Sequence, residues 1–202
     1  MDTEDTKTRI ITAALQLAFI NGYDYVSMKM IADEIGLSKP AIYHHFKNKK
    51  DLFKQAIDFF LKTMAEINRE KLGEVTGLED FLRGFFVNIR QVKTEIEKRF
   101  FGQSGKPIYT FLEILISAGR ADNTIKAKMA HAYSLTRKSI IKLLEMGIEN
   151  GEIRSDLDLE NLSFSVIAML EGLSLQCLFD DGLNAEKLSI TMFDNLWKML
   201  VI

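Results

Sequence analysis

Between Leu37 and Lys50 the chain carries four lysines (Lys39, Lys47, Lys49, Lys50), two histidines and the aromatic Tyr43, with no acidic residue. Cations and an aromatic at this density form a footprint for a few phosphate groups. The whole chain has a formal net charge of -2, so the positive charge is local. A protein charged in this way does not coat nucleic acid indiscriminately; it engages through one patch.

The residues around the patch show what must hold it. Ser27 is a good N-cap for a short helix whose apolar residues are Met30, Ile31 and Ile35, with Ala32 small enough for another helix to approach. Gly36 stops that helix, because only glycine takes a left-handed backbone cheaply, and Leu37 folds back onto the core. Ser38 caps a second helix with Pro40 in its first turn, where a missing N–H costs little. Ile42 and Phe46 supply its buried side, leaving Lys39, Ala41, Tyr43 and His44 outside. Two short helices joined by a tight glycine turn, with a basic outward face, are the layout of a helix-turn-helix for DNA.

Over about fifty residues, from Thr8 to Ala56, the chain resembles the N-terminal domain of the TetR (tetracycline-repressor) family of bacterial transcription regulators. The resemblance is carried by RIITAALQLAFINGY and SMKMIADEIGLSKPAIYHHFKNKKDLF, and within them by Ala13-Ala14, Gly22-Tyr23, Ile31-Ala32, Gly36-Leu37-Ser38, Tyr43, His45-Phe46, Lys49 and Leu52. One departure is visible: the family's aromatic four residues before the glycine of Gly22-Tyr23 is here Ala18, with Phe19 beside it. The resemblance implies that Tyr43, His44 and Lys49 contact phosphates. Base reading then falls to Lys39, Pro40 and Ala41, helped by Met28 or Lys29, and Ser27 and Ser38 complete the DNA-binding set. His45 is expected to be structural, wedged beside Phe46.

At 202 residues, 47% hydrophobic and 27% charged, the composition is that of ordinary soluble globular material in one or two domains. Helical patterns recur along almost the whole chain and no strand alternation stands out. The reading is an all-α protein of about nine helices, at 6–21, 27–35, 38–45, 49–71, 78–98, 107–119, 123–150, 159–180 and 184–201. Residues 1–50 are expected to form a three-helix helix-turn-helix DNA-binding domain, and 51–202 a helical effector-binding and dimerisation domain. The fourth helix presents Leu52, Phe53, Ala56, Ile57, Phe60, Met64 and Ile67 on one face and is long enough to belong to both.

Other signals point to no chemistry of their own. Gly102-Gln103-Ser104-Gly105-Lys106-Pro107 has two residues between its glycines and a proline after the lysine, whereas a phosphate-binding Walker loop needs four and a Ser or Thr. His131 has no Cys or carboxylate three or four residues away, so no metal site is expected. The single cysteine, Cys177, excludes an internal disulfide and lies in an apolar segment. No catalytic arrangement and no cofactor motif stands out, so the chain is not expected to be an enzyme. Met1 to Lys7 is acidic and polar rather than a signal peptide, and a cytoplasmic location follows as an expectation.

The segment Leu162 to Phe179 holds one charged residue, Glu171, in eighteen. Its serines, its glutamine and that glutamate make it a poor membrane span. A helix apolar nearly all round is expected to be buried on both sides, by its own domain and by a second subunit. The last helix offers a further stripe of Ile190, Phe193, Leu196, Trp197 and Leu200. The resemblance implies that these two helices pair with their symmetry mates, giving a homodimer on a (pseudo)palindromic double-stranded operator. It also places any effector pocket among the fourth to eighth helices, with Phe60, Met64, Phe85, Phe86, Phe111, Met129 and Tyr133 as candidate walls for a small, largely apolar or aromatic ligand. The expected protein is a transcriptional repressor released from its operator by that ligand. The alternatives are a regulator without an effector and a helical enzyme retaining a relic DNA-binding domain.

Overall fold

A computed structural model describes residues 3–72, 77–87, 89–101, 111–180 and 182–201. Among them are ten α-helices and one 3₁₀ turn, and no strand: α1 (Thr3–Asn21), the 3₁₀ turn (Tyr23–Tyr25), α2 (Met28–Glu34), α3 (Lys39–His45), α4 (Lys49–Leu72), α5 (Leu78–Val87), α6 (Ile89–Phe101), α7 (Phe111–Ala121), α8 (Asn123–Glu149), α9 (Leu159–Phe179) and α10 (Ala185–Leu200). The one helix expected over 78–98 is described as two, α5 and α6, with Asn88 outside the described residues. The connection from Gly102 to Pro107 and the expected helix start at 107 also lie outside them, and α7 begins at Phe111.

The helices pack as two units, Met1–Glu66 with Thr94–Ala130, and Ile67–Lys93 with His131–Ile202. In the first, Ile10, Ala14, Leu15 and Phe19 of α1 meet Ile31 and Ala32 of α2, Ile42 of α3 and Leu52, Phe53, Ile57 and Phe60 of α4 in one continuous core. Phe100, Ile114, Ala118 and Ile125 close the same core. The absence of an aromatic at residue 18 is made good by its neighbour. Ala18 and Phe19 are both buried, and the Phe19 ring lies 5.7 Å from Phe60, 6.0 Å from Phe100 and 6.2 Å from Phe101. Arg9 reaches from α1 to donate to the carbonyl of Ile35 at the end of α2.

In the second unit Leu78, Leu82 and Phe86 of α5, Ile140 and Leu144 of α8, Val166 of α9 and Phe193, Leu196 and Leu200 of α10 share a core. The first amide of α5 has no partner in its own helix, and Glu152, 74 residues away, accepts from the Leu78 N–H at 3.1 Å. Where α5 meets α8 the approach is close: a Cβ on Gly147 would stand 2.4 Å from Leu78 Cδ2, with two further Leu78 atoms at 3.4 Å. Gly147→Val should therefore overpack this contact and cost about 1–3 kcal/mol in urea unfolding. An unchanged midpoint would mean that Leu78 moves aside freely.

The start of α8 is held by a carboxylate. Asp122 accepts from the Thr124 amide at 2.8 Å and its hydroxyl at 2.6 Å, and Lys54 stands 3.4 Å away. The Thr124 hydroxyl, then its amide, and more weakly Lys54, hold the Asp122 carboxyl at about 2, below the usual carboxylate range. A depressed carboxyl stabilises the fold above the ordinary aspartate range and loses that contribution as pH falls through about 2. Thermal melts between pH 5 and pH 2 should thus converge for the wild type and Asp122→Ala, with a gap only at the upper end. A constant gap would remove this role.

Candidate nucleic-acid interface

The α2–turn–α3 segment is built from caps. Ser27 Oγ accepts from the Met30 N–H at 3.2 Å, and Ser38 Oγ from the Ala41 N–H at 3.3 Å. Each serine satisfies a first-turn amide that a helix cannot satisfy itself. Gly36 adopts φ +68°, and around it the Leu37 N–H donates to the Ala32 carbonyl at 3.0 Å and the Gly36 N–H to the Asp33 carbonyl at 3.4 Å. This pair of bonds is the Schellman closure of a helix end, and it turns Leu37 back onto the core. The start of α4 is capped reciprocally: Asn48 Oδ1 accepts from the Asp51 N–H at 2.9 Å, while Asp51 Oδ2 accepts from the Lys47 N–H at 3.0 Å.

These caps leave one face of α3 open. Lys39 and Pro40 are exposed, Ala41 is half-buried, and Tyr43 and His44 are exposed, whereas Ile42 is the only buried residue of α3. The Lys39 ammonium lies 5.8 Å over the Tyr43 ring, one helical turn away. His45 is half-buried with its ring 6.4 Å from Phe46. Ser27, Lys29 and Ser38 are exposed.

Two expected contacts are placed differently. Met28 is buried, 6% exposed, and Met30 points outward at 36%. The apolar stripe of α2 runs Met28, Ile31, Ala32 and Ile35, the i, i+3, i+4, i+7 pattern of a helix face, so Met28 is taken up by the core and only Lys29 and Met30 are available at that end. Lys49 is half-buried and turned to the protein. Its ammonium donates to the Tyr23 carbonyl at 2.5 Å and the Asp24 carbonyl at 3.3 Å, and lies 4.2 Å over the Tyr23 ring. Burial lowers its pKa, opposed in part by Asp24. Burial likewise raises that of Tyr23, with Asp24 and Asp122 adding to it.

The expected effector residues divide between the two units. Phe60 is buried against Phe19 and Phe100, and Met64 and Met129 pack on the same core. In the second unit Phe85 stacks on Phe81 with centroids 6.2 Å apart, Phe86 is buried 6.1 Å from Phe193, and the Tyr133 phenol donates to Glu171. Phe111 opens α7, and its side chain lies outside the described ones. A cleft of about 250 Å³ lies in the first unit between the 3₁₀ turn and α7, lined by Tyr23, Asp24, Tyr25, Glu113 and Ile116 among others; none of the seven expected effector residues is among its lining residues. Among the described residues no helix is long and apolar enough to cross a membrane.

Two capped seven-residue helices joined by a left-handed glycine turn, with a basic and aromatic outer face, make this a helix-turn-helix DNA-binding regulator. The chain belongs to the TetR family: residues 10–56 match the model for bacterial regulatory proteins of the tetR family, and residues 110–193 the model for the tetracyclin repressor-like C-terminal domain. It is 28% identical over 158 residues to the HTH-type transcriptional regulator YdeS of Bacillus subtilis, covering 78% of this chain and 72% of YdeS. It is 22% identical over 173 residues to the HTH-type transcriptional repressor AcnR of Corynebacterium glutamicum, covering 83% and 79%. The fold is shared with a protein from Saccharomonospora viridis crystallised in complex with choline, at a TM-score of 0.80 and 20% identity over 99% of this chain and 100% of that one.

Proposed function

We propose that this regulator is a homodimeric repressor that leaves its operator when a small, largely apolar molecule binds its helical C-terminal part. The observation that carries the reading is the open face of α3, where Lys39, Tyr43 and His44 stand clear of the core. Supporting it, AcnR is named a repressor, and the Saccharomonospora viridis protein holds a small molecule in the same fold. In this reading residues 1–50 read DNA and 51–202 bind the effector and dimerise, a functional division that cuts across the packing units.

Base edges are read by Lys39, Pro40 and Ala41 with Lys29 or Met30, and phosphates by Tyr43, His44 and the first turn of α4. A dimer reads half-sites about 34 Å apart, so a ligand that shifts α4 by a few Å takes one recognition helix out of its groove. Near-complete release requires that the ligand bind the DNA-incompetent state about 10⁴-fold better than the other. Selection of bound DNA from a random pool, followed by a ligand screen for release, tests both halves. No enriched sequence would end the regulator reading, and ligands that bind tightly without changing operator affinity would end the inducer reading.

Lys49 needs a test with two readouts, because its ammonium is tied to the 3₁₀ turn. If it swings out to a phosphate, Lys49→Ala weakens binding to all sequences alike and reduces the salt slope by about one. If the slope is unchanged and only the melting temperature falls, Lys49 is a structural tie and its phosphate role is wrong.

A further inference from the structure

The single charged residue of the Leu162–Phe179 stretch, Glu171, lies half-buried on the flank of α9. Its carboxylate accepts a hydrogen bond from the Tyr133 phenol of α8, and among the described residues it has no lysine, arginine or histidine partner. Two other acids have a cation beside them: Asp58 has Lys128 at 2.6 Å and Asp122 has Lys54 at 3.4 Å. The α8 arginine one turn from Tyr133 is committed elsewhere, with the Arg137 guanidinium 4.4 Å over the Phe164 ring.

A charge taken partly out of water without a counter-charge is costly, and nothing in the packing requires it here. Glutamine has the same shape and would accept the same phenol hydrogen bond with no ionic desolvation. The phenol eases this only in part: burial first, then the bond to Glu171, raises its pKa, so it remains a neutral donor and brings no counter-charge. What the arrangement lacks is a cation. The Tyr133 ring and the apolar side chains of α9 are suited to a weakly hydrated one with an apolar body rather than a metal ion.

We propose that the Tyr133–Glu171 pair is the polar anchor of the effector site, and that the effector is an organic cation with an apolar body. This rests on the effector-release reading above and deepens it by naming the ligand's charge.

The test uses the full-length protein and two probes of equal shape, benzyltrimethylammonium and its uncharged carbon isostere neopentylbenzene, with binding measured by calorimetry. The wild type should bind the cation in preference to the isostere. Glu171→Gln should weaken the cation by about 10- to 100-fold, the size of a lost contact to a charged group, and keep the wild-type melting temperature and hydrodynamic mass. Tyr133→Phe should fall between the two. Equal binding of both probes, no binding of the cation, or unchanged cation affinity in Glu171→Gln would overturn the proposal. So would loss of stability or of mass in that variant, which would assign the carboxylate to folding or to a subunit contact. Operator binding by the wild type without probe separates the two readings. DNA binding with no cation binding sinks the anchor alone, and cation binding through Glu171 with no DNA binding sinks the regulatory reading alone.

Discussion

Phe19→Ala is expected to lower stability by about 3–5 kcal/mol, the largest loss from any single truncation proposed here. The side chain is 1% exposed and its ring contacts three others, Phe60 of α4 and Phe100 and Phe101 of α6. Truncation removes all three ring contacts at once, and the cavity left behind is walled by helices that α1, α4 and α6 fix from different directions, so it cannot collapse cheaply. Chemical denaturation measures the loss directly. Operator affinity of the fraction still folded should fall as well, because α2 and α3 rest on the same core. A loss below about 1 kcal/mol would show that Phe19 is not the aromatic that replaces the missing one at position 18.

Gly172→Arg is expected to abolish dimerisation and, with it, operator binding. The outward stripe of α9 carries Phe164, Ala168, Leu175 and Phe179, with Phe164 49%, Leu175 45% and Phe179 85% exposed, and the half-buried Gly172 sits at its middle. Of the apolar residues of α10, Phe193, Leu196 and Leu200 are consumed in their own unit, whereas Met199 is 57% exposed. A Cβ on Gly172 meets nothing within 4 Å, so a side chain can start there without a clash inside the protomer. In a two-fold seam that buries upward of about 2,000 Å², the same arginine meets its symmetry mate and strands a cation. Light scattering should report a monomer at micromolar concentration, with the helical signal unchanged. A variant that stays dimeric and holds operator normally would show that this face has another use.

Much of the helix-turn-helix is legible in the sequence because its signals are local. Ser27, Gly36, Ser38 and Pro40 act within four residues of themselves, and each lies where the spacing placed it. The α4 face is equally plain, since Leu52, Phe53, Ala56, Ile57, Phe60 and Ile67 are all buried. The orientation of α2 was harder. Met28 and Met30 are both apolar, and choosing between them needs the full Met28, Ile31, Ala32, Ile35 spacing rather than the adjacent pair. The inward turn of Lys49 could not be read at all, because its partners are backbone carbonyls of Tyr23 and Asp24, and any residue type supplies those. The candidate effector residues met the same limit: apolar stripes mark what is buried without saying whether a neighbour or a ligand does the burying.

The recognition helix is only seven residues long and is anchored through Ile42, with Phe46 closing its end. A helix of that length has no standing of its own in water. Its anchoring side chain is therefore separate from the open edge of Lys39, Tyr43 and His44, which can be exchanged without touching what holds the helix in place. If that open edge reads the operator, as proposed, target choice can change by substitutions that leave folding untouched, and relatives with the same core need not share target genes.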